Sequence, residues 1–467
     1  MLPPPDNLDS TTDTTTITSN PSPLPLTNDN ATTTTTTKNQ NNNQNNHNHP
    51  RKPKPTLLNP LQKGITTYLT HHHHHHHNTN NNDHDTILPP TSLPKRFTIY
   101  APLLLLPVNA LTTPPAWHAL YDTLTPSQKT TLYECILSAF SRYNLTHIAI
   151  NAPIALTDNQ GTENRMRSPG GLLPLYGDFG PAPSTIANVD APTSEDLSRA
   201  LWVSTVQNHG IEQIWAPMYT MFSRGNVTEK ARILGYDNGG NAMEGLEDME
   251  MGEEGMSVVD MYAGIGYFVF SYLRRGVRRV WGWEINGWSV EGLRRGCMAN
   301  GWGCRVVRIH GEEGVLDGGI GVEELVDGLR DGEDGDRVVV FHGDNRFAAR
   351  ILAQIKDVME ARGRWAPVRH VNLGLLPSSA AAWGDACRMV DSRLGGWLHV
   401  HENVDVRRIE EMRDQVTAEV GRLRAKALEV EDEGKVVAEC RHVEQVKTYA
   451  PGVMHCVFDV KVPALEL

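Results

Sequence analysis

The sequence predicts an α/β protein built on a doubly wound, Rossmann-like sheet, with a smaller accessory domain and a disordered tail on its N-terminal side. Two observations predict the sheet: short apolar runs alternate with helical segments from about residue 257 onward, and the first of these runs ends in a glycine turn. A third predicts the tail, because residues 1–95 are dominated by Thr, Asn, Pro and His and offer too little apolar surface to offset the entropy lost on ordering. We therefore expect a disordered segment at 1–95, an accessory domain at 96–200 and the main domain at 201–467.

The predicted accessory domain contains strands and a helix whose boundaries the sequence marks. Residues 97–100 and 146–150 are predicted strands, and a buried apolar segment at 103–107 lies between them. Thr125 offers a capping oxygen and Pro126 suits the first position of a helix, so we expect a helix to begin there.

A glycine turn after the first strand of the main domain is the strongest local signal. The apolar pair before Asp260 predicts a buried strand, and Gly264 and Gly266 predict a tight turn in which the backbone comes close to a ligand. The pattern Asp-x-x-x-Gly-x-Gly at a strand end is typical of S-adenosylmethionine-dependent transferases, so we expect the methyltransferase version of the Rossmann-like fold. A dinucleotide-binding protein is disfavoured, because Val269 occupies the position where that fingerprint requires Gly or Ala.

The second predicted strand of the main domain, residues 279–283, ends in an acidic residue. This residue is Glu284, 24 positions after Asp260. A carboxylate at that strand end suits the two ribose hydroxyls of an adenosine ligand. A plain βαβ unit with solvated acids at its strand ends explains the same pattern, and it stays open as the alternative.

Polar residues also follow the later strands. Strands are predicted at 337–342, 370–379 (a strand together with its loop) and 396–401. They are followed by a predicted helix at 406–431 and a closing hairpin at 442–460. Asp344 and Asn345 would bond an adenine edge or act as an ordinary cap for the next helix. Because ligands of open α/β sheets bind beyond the carboxyl ends of the strands, we expect the polar residues at these ends to surround one crevice. They are Asp260, Glu284, Asp344 and Asn372.

A loop-forming segment lies upstream of the first strand of the main domain. It contains a Ser-Arg-Gly-Asn turn that begins at Ser223, and a helix or a short turn is predicted from Thr228 to Ile233. Ser223, Lys230 and two arginines could wrap the charged amino-acid end of a cofactor, and a surface loop with a solvated basic face is the alternative. Farther along, residues 312–336 are rich in Gly, Asp and Glu and are predicted to be a surface insertion.

Composition limits the classes of function. A formal net charge of −12 argues against a broad basic surface for nucleic acid, although a local one stays open. The six cysteines form no Cys-x-x-Cys pair, which favours scattered thiols in a reducing compartment, and no metal site is predicted. No signal peptide is recognisable, and the longest apolar run, 100–111, falls short of the ~20 residues that span a bilayer. We expect a cytoplasmic protein with no membrane contact and no stable protein partner.

Six blocks of sequence together resemble one known family. They read WAPMYTMFSRGNVTEKARIL, VVDMYAGIGYF, GWEINGWSVEGLRRG, VVFHGDNRFAA, HVNLGLLPSS and VKTYAPGVMHCVFDV. The set is similar to the fungal tRNA wybutosine-synthesizing protein 2 family, which is related to the tRNA guanine-37 N1-methyltransferases. The resemblance is dense over residues 200–467, looser over 96–200 and absent from the N-terminal tail.

This resemblance implies a reaction. The 3-amino-3-carboxypropyl group of S-adenosylmethionine, the co-substrate, would move to C7 of 4-demethylwyosine at position 37 in the anticodon loop of tRNA(Phe), and methylthioadenosine would be released. One alternative on the same fold is an S-adenosylmethionine-dependent methyltransferase of guanine 37. The related methyltransferases begin their fourth-strand motif with Asn-Pro-Pro, whereas this chain has Asn372-Leu373-Gly374, and that departure favours the aminocarboxypropyl reaction. A non-catalytic protein that retains a degenerate cofactor fold is a third hypothesis, and the intact acids and glycines argue against it.

The resemblance also implies which residues bind the cofactor. They are Ser223, Lys230, Asp260, Gly264, Gly266, Glu284, Asp344 and Asn345, and Asn372 is added to the predicted cofactor site as a strand-end residue. The residue that accepts the proton from C7 is not identified. Aromatic residues are candidates for stacking on the acceptor base, although most aromatic residues at such positions belong to the core. The candidates are Trp215, Tyr219, Phe222, Trp281, Trp283 and Trp288.

Overall fold

The structure is a computed structural model. It describes residues 57–71, 88–151, 164, 169, 171–207, 209–223, 225–236, 242–247, 255–332, 334–430 and 436–464. Most of the segment predicted to be disordered therefore lies outside the described residues, as does Arg224 of the Ser-Arg-Gly-Asn turn. Within the described ranges, every helix is too short or too polar to span a bilayer.

The N-terminal part contains a four-stranded sheet and a two-stranded ribbon. Its elements are α1 (Pro60–His71), β1 (Thr98–Tyr100), β2 (Leu103–Leu106), α2 (Pro115–Thr123), α3 (Pro126–Ala139), β3 (His147–Ile150), β4 (Leu173–Tyr176), α4 (Ser194–Arg199), β5 (Val203–Gln207) and β6 (Ile211–Trp215). The sheet has the order β1-β2-β3-β4, and β5 pairs with β6. Thr125 caps α3 as predicted, because its hydroxyl accepts a hydrogen bond from the Gln128 N–H at 3.3 Å.

Helix α1 lies inside the range that was predicted to be disordered. It buries Leu61, Ile65 and Tyr68 among residues of α2 and α3. The prediction that order begins near Lys95 is therefore wrong for residues 57–71. Burial of these three apolar residues, which lie at helical spacing, stabilises the helix. The polar residues around them made this spacing hard to recognise in the sequence.

The main domain contains the glycine turn and nine strands of one sheet. Its elements are α5 (Val227–Leu234), β7 (Ser257–Asp260), α6 (Val269–Arg275), β8 (Arg279–Glu284), α7 (Gly287–Ala299), β9 (Gly303–His310), β10 (Val315–Leu316), α8 (Val322–Asp327), β11 (Asp336–His342), α9 (Ala348–Ala361), β12 (Val368–Leu373), α10 (Trp383–Met389), β13 (Gly396–Asp405), α11 (Ile409–Ala427), β14 (Glu439–Ala450) and β15 (Val453–Val462).

The sheet order is β10-β9-β11-β8-β7-β12-β13-β15-β14. The strands from β9 to β13 in this order are parallel, and β10, β15 and β14 are antiparallel to their neighbours. The chain winds from β7 toward β8 on one side and later from β12 toward β13 on the other, so the topological switch point lies between β7 and β12. The predicted doubly wound fold with a closing hairpin is confirmed.

Side chains of the central strands pack into helices on both faces of the sheet. Along β11, Val338 and Val340 belong to one buried cluster, whereas Val339 and Phe341 belong to another on the opposite face. Continuous apolar strands of this kind are expected where helices cover both faces. The N-terminal sheet packs in a separate cluster, in which Tyr100 of β1 lies with residues beyond position 200. The boundary at 200 stays a prediction.

Two features of the main domain differ from the predictions. Strand β9 was not predicted, because Arg305, Arg308 and His310 interrupt its apolar residues, which form neither a continuous run nor a strict alternation. The segment 312–336 was predicted to be a surface insertion, but it contains β10 and α8, and Leu325 and Val326 are buried against α9. Short apolar pairs inside a Gly-rich and acidic segment gave too weak a periodic signal for a prediction.

Candidate cofactor site

Asp260 and Asn372 lie side by side at the switch point. They are paired in the register of β7 and β12, and both are buried. Asp260 Oδ1 accepts hydrogen bonds from Asn372 Nδ2 at 3.2 Å and from the Tyr262 N–H at 3.1 Å. Asp260 Oδ2 has no hydrogen-bond partner among the described residues. Burial, with a smaller contribution from Glu284, raises the pKa of Asp260 to about 7. An acceptor of this kind suits a ligand that donates a hydrogen bond.

Glu284 connects the end of β8 to the glycine turn. Its Oε2 accepts a hydrogen bond from the Gly264 N–H at 2.8 Å, and its Oε1 accepts one from the Asn286 N–H at 2.8 Å. Burial raises the pKa of Glu284. Each carboxylate oxygen has a second lone pair, so both can still accept a hydrogen bond from a ligand hydroxyl.

The glycine turn has the backbone that the sequence predicted. Gly264 and Gly266 have φ angles of +54° and +89°, in the region that L side chains rarely adopt. A Cβ on Gly264 would lie 2.9 Å from the Tyr267 ring, and a Cβ on Gly266 would lie 2.5 Å from the Phe270 ring. Both positions therefore require glycine for conformation and for space.

Asp344 and Asn345 have different roles at the end of β11. Asp344 accepts a hydrogen bond from the Arg346 N–H at 2.9 Å and caps the short helical turn that follows, as the alternative interpretation predicted. Asn345 Nδ2 donates to the Met261 carbonyl at 2.9 Å, which connects the end of β11 to the residue after Asp260. Asn345 is thus held beside the glycine turn, whereas Asp344 has its own local partner.

Tyr267 brings the upstream loop to the glycine turn. Its hydroxyl donates to the Met221 carbonyl at 2.5 Å and accepts from the Ser223 N–H at 3.2 Å. The ammonium group of Lys230 lies 5.4 Å from the centre of the Tyr267 ring. Tyr267 also lies near Glu284, whose charge contributes to raising the pKa of the phenol, although burial is the larger cause. Sequence reasoning missed Tyr267, although it directly follows Gly266.

Lys230 is a buried cation with neutral surroundings. It lies on α5, and only 2% of it is exposed. Its Nζ donates to Gln213 Oε1 at 3.2 Å, and no carboxylate of the described residues forms an ion pair with it. Burial lowers the pKa of Lys230 to about 8. A buried ammonium group without an anionic partner suits a ligand that carries one.

A second buried network holds α5 against the sheet. Arg232 pairs with Glu229 at 2.7 Å on the same helix and with Asp459 on β15. Asp459 also bonds His399 Nδ1 at 2.6 Å, and His399 Nε2 bonds His370 Nδ1 at 2.9 Å. Sequence reasoning did not find this network, because no local pattern relates positions 229 and 459. It fixes the helix that carries Lys230.

Five of the six aromatic candidates for base stacking are core residues. Their exposed fractions are 0–2%, so they cannot stack on a nucleotide: Trp215, Tyr219, Trp281, Trp283 and Trp288. Phe222 is half-buried, and its ring stacks on Trp215 with a distance of 4.2 Å between centres. The stacking hypothesis is therefore wrong for those five residues, and Phe222 is the candidate that remains.

Comparison of the sequence with known proteins gives two close relatives. No protein-family profile matches the chain. The chain is 36% identical over 371 residues to tRNA wybutosine-synthesizing protein 2 of Schizosaccharomyces pombe, a match that covers 79% of this chain and 73% of the relative. It is 30% identical over 395 residues to the protein of the same name from Saccharomyces cerevisiae, with 79% and 74% covered.

Comparison with solved structures gives proteins from two Pyrococcus species. The Pyrococcus horikoshii TYW2 structure with MeSAdo matches with a TM-score of 0.45 and 18% identity, over 80% of this chain and 95% of that chain. The Pyrococcus abyssi Trm5b structure matches with a TM-score of 0.42 and 14% identity, over 82% and 81%. The sequence identity to the two yeast proteins is the stronger of these findings.

Proposed function

The chain belongs to the tRNA wybutosine-synthesizing protein 2 family, and from this membership we propose that it transfers the 3-amino-3-carboxypropyl group of S-adenosylmethionine to C7 of 4-demethylwyosine at position 37 of tRNA(Phe). Methylthioadenosine is the by-product. One observation carries the proposal for this site. Within the part of the chain that the structure describes, a buried ammonium group without a carboxylate partner and a buried carboxyl oxygen without a donor occur in one set of residues around the glycine turn. A zwitterionic amino-acid end of a nucleoside needs both.

The adenosine part of the ligand fits the ends of β8 and β11. Glu284 keeps lone pairs for the ribose hydroxyls while two backbone N–H groups hold its carboxylate in place. Asn345 is held beside the turn and would contact the adenine. Asp344 also belongs to the proposed site, but its geometry supports this less than that of Asn345, because its carboxylate already caps a helical turn.

The amino-acid part fits the opposite side of the glycine turn. Lys230, with Ser223 close to Tyr267, would bind the carboxylate. Asp260 Oδ2 would accept a hydrogen bond from the amino group, which would also favour the ionised carboxylate and lower its pKa. Asn372 would keep Asp260 in position through the hydrogen bond between them.

S-adenosylmethionine supplies the electrophile, because any of its three sulfonium carbons can be attacked while a neutral thioether leaves. The protein determines which carbon faces the base. We assign the choice of this carbon to the segment from Ser223 to Arg232 and to the loop after Asn372. These two segments would hold the aminocarboxypropyl arm of the cofactor from both sides. Orientation of this kind supplies a large part of the rate. No described side chain is assigned as the acceptor of the C7 proton.

The partner is tRNA(Phe), recognised at its anticodon loop. Unpaired loop bases are bound by stacking and edge contacts, and Phe222 is the candidate for stacking. Phosphate contacts from local arginines would make binding weaken with salt. The six cysteines are all free, which fits a reducing compartment, and we propose a cytoplasmic location.

The test is the identity of the nucleoside released. The protein is incubated with S-adenosylmethionine and tRNA(Phe) that carries 4-demethylwyosine, and the products are separated by mass spectrometry. Methylthioadenosine supports the proposed reaction. S-adenosylhomocysteine would instead indicate the guanine-37 methyltransferase alternative, which the sequence Leu373-Gly374 after Asn372 disfavours.

A further inference from the structure

Lys447 lies on the part of the C-terminal hairpin that projects beyond the strand ends. Asn372 of β12 is paired with His399 of β13. Lys447 is paired with His455, and His455 with Asn403, which lies four residues farther along β13. Since β13 runs parallel to β12, this row lies past the carboxyl end of β12, on the edge of the sheet that carries the candidate site.

The side chain of Lys447 reaches the loop between Ser223 and the start of α5 at Val227. A methyl group placed on Gly225 would overlap the Cδ, Cε and Nζ atoms of Lys447. The ammonium group therefore lies directly against the loop backbone, and the close approach requires a residue without a side chain at position 225. Helix α5, which follows this loop, also packs against β14.

Lys447 has no anionic partner among the described residues. It is half-buried, and among the residues that the structure describes it forms no ion pair and no hydrogen bond. Burial lowers its pKa. His455, its neighbour across the strands, is neutral at pH 7, because burial and Lys447 lower its pKa to about 4. Lys461, at the other end of the hairpin, has the usual arrangement: it forms an ion pair with Glu244 at 3.5 Å.

We propose that Lys447 is a specificity-determining residue whose ammonium group binds the carboxylate of the aminocarboxypropyl arm of S-adenosylmethionine. This inference rests on the proposed function, because the loop that Lys447 reaches is the one to which we assign the arm. Binding a small anion releases more free energy at a partly buried, unpaired cation than at a cation exposed to water. Lys447 and Lys230 would approach the carboxylate from two sides, and this would orient the arm toward the acceptor base.

A phosphate of the tRNA is the other anion expected at this edge, and the structure favours the carboxylate. Nucleic-acid phosphates are bound from the protein surface by side chains that extend into solvent. Arg407 and Arg408, which follow β13, are of that kind, with 84% and 60% of their side chains exposed. The Lys447 side chain instead lies against the backbone at Gly225, in the loop before α5.

The test compares two ligands and two lysines by isothermal titration calorimetry of the full chain. Lys447→Met should weaken binding of S-adenosylmethionine at least tenfold and leave binding of methylthioadenosine, which lacks the arm, within twofold. Lys461→Met removes the same kind of side chain from the far end of the hairpin and should change neither. Gly225→Ala, which displaces the ammonium group, should reproduce the selective loss, and Lys447→Arg should restore part of the affinity.

Three results would overturn the inference. If Lys447→Met weakens the binding of S-adenosylmethionine and of methylthioadenosine equally, Lys447 has a structural role. If the substitution weakens the binding of neither ligand, Lys447 does not belong to the site. Unchanged binding of S-adenosylmethionine together with weaker, less salt-dependent tRNA binding indicates a phosphate contact. A wild-type protein that fails to bind S-adenosylmethionine at all contradicts the proposed function itself, which separates that failure from a failure confined to Lys447.

Discussion

Asn372 donates a hydrogen bond to Asp260 between the ends of two parallel strands that the chain reaches 112 positions apart. The bond lies at the topological switch point, where open α/β sheets bind their ligands. The other oxygen of this buried carboxylate has no donor among the residues that the structure describes. The first predictions concern this carboxylate and the buried lysine across the glycine turn.

Asp260→Asn should change the pH dependence of stability. Burial raises the pKa of Asp260 from 3.8 to about 7 in the folded protein, so the unfolded chain releases this proton at lower pH. The wild-type protein should therefore lose stability relative to Asp260→Asn as the pH rises from about 4 to about 7, by up to roughly 4 kcal/mol. Urea unfolding of both proteins at pH 4.5 and pH 7.5 measures this. A difference in unfolding free energy that does not vary with pH would show that the folded-state pKa is ordinary.

Lys230→Met should make the protein more stable and weaken cofactor binding. Burial lowers the pKa of Lys230 from 10.5 to about 8, so the folded state of the wild-type protein carries a cost that is full below pH 8 and disappears as the pH rises toward 10.5. At pH 7 the variant should gain roughly 1–3 kcal/mol and lose at least tenfold in affinity for S-adenosylmethionine. Thermal unfolding and calorimetric titration give the two values. Unchanged affinity would exclude Lys230 from the carboxylate site.

Asp459→Asn should destabilise the fold strongly. It removes one of the two carboxylates, Asp459 and Glu229, that form ion pairs with the buried Arg232. The expected cost is about 3–5 kcal/mol. Arg422→Ala is the matched control, because it breaks an exposed pair with Glu419 and should cost less than about 1 kcal/mol. Similar unfolding midpoints in urea for the two variants would contradict a structural role for the Arg232 network.

Gly266→Ala should cost more stability than Gly301→Ala. Both glycines have φ angles in the left-handed region, +89° and +80°, so both substitutions carry a backbone cost of about 1–2 kcal/mol. A Cβ on Gly301 meets open space, whereas one on Gly266 would lie 2.5 Å from the Phe270 ring. The extra crowding should add about 1–3 kcal/mol. Equal melting temperatures for the two variants would show that the turn can relax around the methyl group.

The main sheet and the residues at its strand ends could be predicted from the sequence, because a short local pattern marks each of them. The turn around Gly264 and Gly266, the acid at position 284 and the polar residue at position 372 each follow an apolar run, and parallel strands bring their ends together. Contacts between distant positions had no such signal. The bond between Arg232 and Asp459 joins residues 227 positions apart, and the contact of Lys447 with Gly225 depends on the hairpin that projects past the sheet.

Weak patterns account for the remaining differences. Helix α1 depends on three apolar residues in a polar context, and the apolar residues of β9 are interrupted by two arginines and a histidine. Both gain their stability from packing that only the folded chain provides, so propensity alone could not reveal them.

The most direct measurement of the central claim is the nucleoside released when the purified chain reacts with S-adenosylmethionine and tRNA(Phe) bearing 4-demethylwyosine. We predict methylthioadenosine in an amount equal to the modified base, because the site holds the amino-acid arm and directs its carbon toward position 37. S-adenosylhomocysteine as the stoichiometric product, with a methylated base, would contradict the account.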